Sequence, residues 1–366
     1  MFKPEETVST KEYKILLHWK TLHKAESYQR ALATKEKTAG GYLADYLTQM
    51  DIAQLTINEF IEILVRTKRP QIFAESDVYG DGSDWSLVEL SILGDISISV
   101  PVIVFDNGLH SLPMAHAVPI NATLLYVPGA LLRNGRGKIP ADWEEVTRNG
   151  QIDSTAYYSL YERRLLPSFI YANSKAGSNN AQAFITIPGL GCGQFAGEFR
   201  GQLGSELRNA LIEFLKQHVS RFPNIRAVYY DPYRECCNER HEINHISFFA
   251  RPLTKGNQDK PQLCKPQEYE ESGDDFSHCE LFSFVAWDHV SWPGNDFYLG
   301  SRATDDGVKA AATNSMAVMT GFEGSYNHQT NTYDPPPEYR NWGDLVLKER
   351  IHIMVKDNLL ILPAHK

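Results

Sequence analysis

Short β-branched and aromatic runs, each halted by Gly, Pro or Asp, constrain this chain more than any other feature. Val102-Ile103-Val104-Phe105 stops at Asp106-Asn107-Gly108, and Leu124-Leu125-Tyr126-Val127 stops at Pro128-Gly129. Ala183-Phe184-Ile185-Thr186-Ile187 stops at Pro188-Gly189, and the runs 225–230, 281–287 and 350–355 stop at Asp231, Asp288 and Lys356-Asp357. Continuous apolar strands of this kind are buried on both faces. With helical segments between several of them, they predict an α/β domain built on a mostly buried sheet. At 366 residues the chain also exceeds the roughly 250–300 residues at which a single core stops growing, so an elaboration is expected.

That elaboration reads as helical and N-terminal. Residues 14–33 mix apolar and charged positions until Gly40-Gly41 breaks the run. Thr56-Ile57-Asn58-Glu59 has the form of a capping box. Ile57, Phe60, Ile61, Leu64 and Val65 then make one apolar stripe before Pro70. We expect a helical N-terminal extension over residues 1–95 and an α/β domain over residues 96–366, with a polar, Pro-rich surface loop at 255–275.

The net charge of −9 argues against nucleic acid or an anionic membrane as partner, because both require dense Lys/Arg surfaces. Met1-Phe2-Lys3-Pro4-Glu5-Glu6 lacks the apolar core of a leader, and the odd count of five cysteines fits reduced thiols, so a cytoplasmic setting is expected.

Residues 182–214 hold the first chemical signal. Pro188-Gly189-Leu190-Gly191-Cys192-Gly193-Gln194-Phe195-Ala196-Gly197 follows an apolar strand. A helix with an apolar face of Leu207, Ala210, Leu211, Phe214 and Leu215 comes next, with Ser205 as its expected N-cap. Glycines let consecutive backbone N–H groups turn toward one anion, so a phosphorylated ligand is expected at Gly189, Gly191, Cys192, Gly193, Gln194 and Phe195. A Rossmann reading of Gly191-x-Gly193-x-x-Ala196 is weak, because no acidic residue closes a strand about 20 residues further on.

The second signal is the segment from Trp287 to Gly307, which carries Asp288, Asn295, Asp296, Asp305 and Asp306 together with Trp287 and Trp292. Carboxylates and aromatics at this density suit a cationic substrate group, although Thr304, Asp305 and Asp306 also have the form of an ordinary helix start. A helix is expected from 305 to 320, ending at Gly321.

The glycine loop resembles the diphosphate loop of macrodomains. Trp-Asp…Asn-Asp-Phe…Thr-Asp-Asp-Gly, with Asp288, Asp296 and Asp306 spaced by eight and ten residues, resembles the catalytic aspartates of the MavL-type macrodomains, a Legionella effector family that hydrolyses ADP-ribose from arginine. The Asn-Ala-Ala-Asn motif of ordinary macrodomains is absent, so its residues do not transfer.

The resemblance implies a macrodomain-like α/β/α sandwich with a mixed central sheet, elaborated or permuted. It implies ADP-ribose as ligand, and Asp288, Asp296 and Asp306 as catalytic residues, with Asp306 or Asp296 as general base and Asp288 on the guanidinium or distal ribose. Trp287, Asn295 and Phe195 would line the ligand, although Trp287 and Phe195 fit a core role equally well. The implied partner is an ADP-ribosylated protein such as ubiquitin, met in a host cytosol if the chain is a translocated effector. No cofactor and no metal are called for. A non-catalytic ADP-ribose reader is the alternative. A zinc hydrolase on His241-Glu242-Ile243-Asn244-His245 ranks third, since that motif needs a helix and 246–252 reads as a strand.

Overall fold

The computed structural model describes residues 12–364; the Met1–Glu6 stretch read for a leader lies outside them. Nine strands, numbered here along the chain, form one sheet: β1 (Lys14–Leu17), β2 (Ser97–Asp106), β3 (Ala115–Pro128), β4 (Gln182–Pro188), β5 (Ile225–Asp231), β6 (Glu239–Ile243), β7 (Ile246–Ala250), β8 (Cys279–Trp287) and β9 (Leu359–Ile361). Their spatial order is β9-β1-β2-β3-β8-β4-β5-β7-β6. Strands β3, β8, β4, β5 and β7 run parallel, and β2 and β6 are antiparallel to their neighbours. The expected mixed sheet is therefore present, with a five-stranded parallel centre.

Alternation along each strand divides the interior into two cores. In β8, Leu281, Val285 and Trp287 face one side and Phe282 and Phe284 the other. The second side is covered by the helices Ser154–Ser178 and Leu203–His218, through Leu165, Phe169, Leu207 and Phe214. The first is covered by Trp19–Ala33, Ile57–Arg66 and Leu87–Leu93 together with the 3-10 turn Asn295–Leu299 and the helices that follow it. Three layers result, α/β/α.

Local chemistry sets several boundaries. Thr56 and Glu59 form the expected capping box, and the helix stops at Arg66, before Pro70. Thr304 caps Asp305–Ala311, and Gly321 (φ 82°) ends Ser315–Thr320. The expected single helix over 305–320 is thus two, parted where Thr313 forms a bridge to Val104.

Four readings need correction. Residues 14–17 form β1 rather than helix, paired to β2 and β9, because all four residues of Lys14–Leu17 are drawn into the sheet by partners remote in sequence. Residues 350–355 form no strand: the N–H groups of Met354 and Val355 go to the Tyr13 hydroxyl and the Glu62 carboxylate instead of a ladder. The helix after the glycine loop opens at Leu203 with no side-chain cap, so Ser205 lies inside its first turn. The segment 255–275 is irregular, but Leu263 and Tyr269 are buried, Tyr269 stacked on Phe184 with ring centroids 4.8 Å apart.

Candidate active site

The parallel strands β3, β8, β4 and β5 all end on one edge, at Pro128, Trp287, Pro188 and Asp231. Ligands of open α/β sheets bind beyond such carboxyl ends, where the strand order reverses. Here the reversal is β8, which follows β5 in the chain yet sits between β3 and β4. Cys279↔Gln182 through Ser283↔Thr186 pair in parallel, with Thr186 Oγ1 donating to Ser283 Oγ at 2.8 Å. The insertion brings the aspartate loop beside the glycine loop, although about a hundred residues separate them in sequence.

Both loops open into a cleft of about 1020 Å³. Gly189, Gly191, Cys192, Gly193, Gln194, Phe195, Trp287, Asp288, Asn295 and Asp306 all line it; Asp296 does not. Glu75, Tyr233 and Gln262, which the sequence did not single out, line it too, as do Asp231 and Asp305.

The glycine loop is held by close backbone packing. Gly191 has φ +73°, and a Cβ there would lie 2.7 Å from the Ala130 nitrogen. Tyr161 fixes the approach, donating its hydroxyl to the Leu190 carbonyl (2.6 Å) and accepting from the Ala130 N–H (3.0 Å). Among the described residues, the N–H groups of Gly193, Gln194 and Phe195 donate to no protein acceptor, and a Cβ at Gly193 would meet nothing within 4 Å. Consecutive N–H groups left free in this way are the kind of arrangement from which anion-binding concavities are built. Arg200 and Arg234 add positive charge to the lining. Cys192 is buried, its thiol pushed well up by desolvation, which leaves it a packing residue.

The three aspartates have different surroundings. Asp296 is saturated: Oδ2 accepts the Ala303 and Thr304 N–H groups at 3.0 and 3.2 Å, and Oδ1 accepts the Thr304 hydroxyl at 2.6 Å. Asp288, 3% exposed, accepts the Ala74 N–H on Oδ2 and the Val290 N–H on Oδ1, both at 2.8 Å. Burial raises its carboxyl above the ordinary range, against the pull of those two donors. Asp306, also 3% exposed, accepts only the Gly294 N–H (2.7 Å) on Oδ1, and its Oδ2 has no partner. Burial, reinforced by Asp296, Asp305 and Asp288, pushes the Asp306 carboxyl well up. Asp305 has a structural task, holding the end of β8 through the Ala286 N–H and pairing with Lys309.

A buried polar frame supports both loops. Arg164, fully buried, donates to Asp95, Asp142 and the Gly129 carbonyl, and Asp142 in turn meets His289 Nε2 at 3.1 Å. Gly129 abuts Gly191, and His289 follows Asp288 in the chain, so one network positions both sides of the cleft. Lys68 clamps the aspartate loop from below. Its Nζ donates to the His289 carbonyl at 2.5 Å and lies 4.1 Å from the Trp287 ring centroid. Trp287 is only 2% exposed, so it is chiefly core, with an edge on the cleft. Asn295 Oδ1 accepts the Ile72 N–H at 3.1 Å, which joins the same loop to residues 72–75.

His241 lies on strand β6 and His245 beyond its end, where His245 Nε2 meets the Phe222 carbonyl. The helix that would turn both imidazoles toward one metal is replaced by a hairpin. No group of His, Cys, Asp and Glu among the described residues has metal-holding geometry, and no helix among them is long and apolar enough to cross a membrane.

The family model described as macrodomain effector MavL matches residues 13–339. The chain belongs to the MavL family of macrodomain effectors. The match runs from the residue before β1 through the glycine loop and the aspartate segment, and so covers both walls of the cleft. A search of curated proteins found no match. Membership in the MavL family assigns the chain an ADP-ribose-related macrodomain function.

Proposed function

We propose that this cleft hydrolyses the N-glycosidic bond of ADP-ribosylated arginine on a protein, ubiquitin being the substrate protein that the family resemblance suggests. The observation that carries the reading is the joint presence, in one cleft, of three unpaired N–H groups on residues 193–195 and of Asp306 with an unpartnered buried oxygen. In this reading the diphosphate accepts from the loop, with Arg200 and Arg234 nearby, and the distal ribose points toward Asp288 and Asp306. A diphosphate held in that way fixes the anomeric carbon relative to the carboxyls, which is where much of the rate enhancement of a positioned reaction arises.

Asp306 is the general base. A carboxyl whose proton affinity is raised by burial accepts a proton from water more readily than an exposed one. As the water oxygen bonds to the anomeric carbon, the C–N bond breaks and its electron pair goes to the guanidine nitrogen. The proton taken by Asp306 then passes to that guanidine, leaving free ADP-ribose and a guanidinium. The negative charge of Asp288 offsets the positive charge that develops on the ribose and holds the leaving group. Asp296 acts through Thr304 and Ala303, fixing the turn that presents Asp306, and is a positioning residue.

The test is release of free ADP-ribose from an ADP-ribosylated arginine peptide by the wild type and by Asp306→Asn. The variant keeps the Gly294 hydrogen bond and loses the base, so turnover is expected to fall by about 10²–10⁴ with ADP-ribose affinity retained. Equal turnover would refute the assignment, and stoichiometric binding without turnover in the wild type would favour a reader.

A further inference from the structure

We infer that Glu75 is a second carboxyl of the guanidinium subsite, which together with Asp288 selects a cationic ADP-ribosylated side chain over a neutral one. The inference rests on the hydrolase reading above and names the residue that recognises the leaving group. Glu75 lies in the short helix Ala74–Asp77, outside both sequence signals, yet its side chain lines the same cleft. It is 8% exposed, and its Oε2 has no hydrogen-bond partner. Its backbone is fixed on both sides: the Ala74 N–H donates to Asp288 Oδ2 at 2.8 Å, and the Glu75 carbonyl accepts the Gly135 N–H at 2.6 Å. The same peptide segment therefore orients Asp288 and carries Glu75.

Burial raises the Glu75 carboxyl above its ordinary range, and Asp288 and Asp77 add to that rise against the opposing pull of its own backbone N–H and of Arg133. Two buried carboxyls that resist joint ionisation are both stabilised as anions when a cation comes between them. Asp288 has already committed one lone pair of each oxygen to a backbone N–H, so it alone offers few positions to a five-donor guanidinium fork. The free Oε2 of Glu75 supplies another. A serine- or glutamate-linked ADP-ribose brings no such cation, and this pair would give it no hold.

Glu75→Gln preserves shape and removes the charge. Affinity is measured by calorimetry for two probes, an ADP-ribosylated arginine peptide and free ADP-ribose, and KM and kcat are measured in parallel. The arginine conjugate is expected to bind about 10- to 100-fold more weakly, as for a lost hydrogen bond to a charged group. Free ADP-ribose is expected to bind within about threefold of wild type, far inside that loss. KM should rise more than kcat falls. Unchanged affinity for the conjugate, or a parallel loss for both probes, would overturn the inference. If the wild type binds the conjugate without cleaving it, the hydrolase reading fails, and the difference between the two probes still decides the role of Glu75.

Discussion

Gly191→Ala should damage the protein through the loop that anchors the ligand, and its cost follows from the local geometry. Gly191 has φ +73°, a region that costs a residue with a Cβ about 1–2 kcal/mol. The new methyl would also lie 2.7 and 2.9 Å from the nitrogen and oxygen of Ala130 and 3.0 Å from the Tyr161 hydroxyl. The two Ala130 atoms are backbone and cannot swing aside, so the segment just after β3 and the glycine loop must separate by several tenths of an ångström. Overpacking of that kind costs about 1–3 kcal/mol. Loss of glycine's freedom in the unfolded chain returns about 0.4–1 kcal/mol. The net expectation is a destabilisation of about 2–4 kcal/mol, read by urea denaturation, together with a Kd for ADP-ribose at least about tenfold higher because the donors of residues 193–195 move with the loop. A variant with wild-type stability would show that the close approach of Gly191 to Ala130 is not required. Lost stability with an unchanged Kd would separate the loop from ligand binding.

Lys68 and Asp306 give pH-dependent signatures of opposite sense. Burial lowers the Lys68 ammonium from 10.5 to about 7, opposed by Asp288. Between those values the unfolded chain binds more protons, so Lys68 makes the wild type gain stability as pH rises from about 7 toward 10.5. Lys68→Met should remove that part of the slope in urea denaturation at pH 7, 8 and 9; identical slopes in the two proteins would contradict the burial argument. For Asp306 the folded group holds its proton more tightly than the unfolded one. Its contribution is therefore least unfavourable below pH 3.8, and it lowers stability progressively as pH rises through the folded value. Asp306→Asn should thus gain stability relative to wild type as pH increases while losing turnover. The kcat of the wild type should rise with pH through an apparent value above the ordinary carboxyl range, and a flat profile would argue against Asp306 as base.

The sheet was legible because its central strands are short apolar runs with sharp stops, and burial on both faces leaves little else for such runs to do. The capping box at Thr56 and the cap at Thr304 were legible because one or four residues suffice to specify them. β1 was not: a four-residue strand followed at once by a helix carries no period of its own, and its partners lie at Ser97–Asp106 and Leu359–Ile361. Residues 350–355 misled for the converse reason, since an apolar run shows burial but not whether its N–H groups meet a strand or the side chains of Tyr13 and Glu62.

At the site, the glycine loop and the aspartate segment each announce themselves through local density, whereas Glu75 and Asp231 are single acidic residues whose placement depends on the packing of distant elements. Spacing also treats Asp288, Asp296 and Asp306 alike. The structure separates Asp296, away from the cleft with both oxygens engaged in its own loop, from Asp306, on the cleft with one oxygen free.

The most direct test of the account is a crystal structure of Asp306→Asn with ADP-ribose bound. The diphosphate is expected within hydrogen-bonding distance of the N–H groups of residues 193–195, with the anomeric carbon facing Asp288 and position 306. A nucleotide bound with its diphosphate away from that loop, or with its distal ribose turned from the carboxyls, would contradict it.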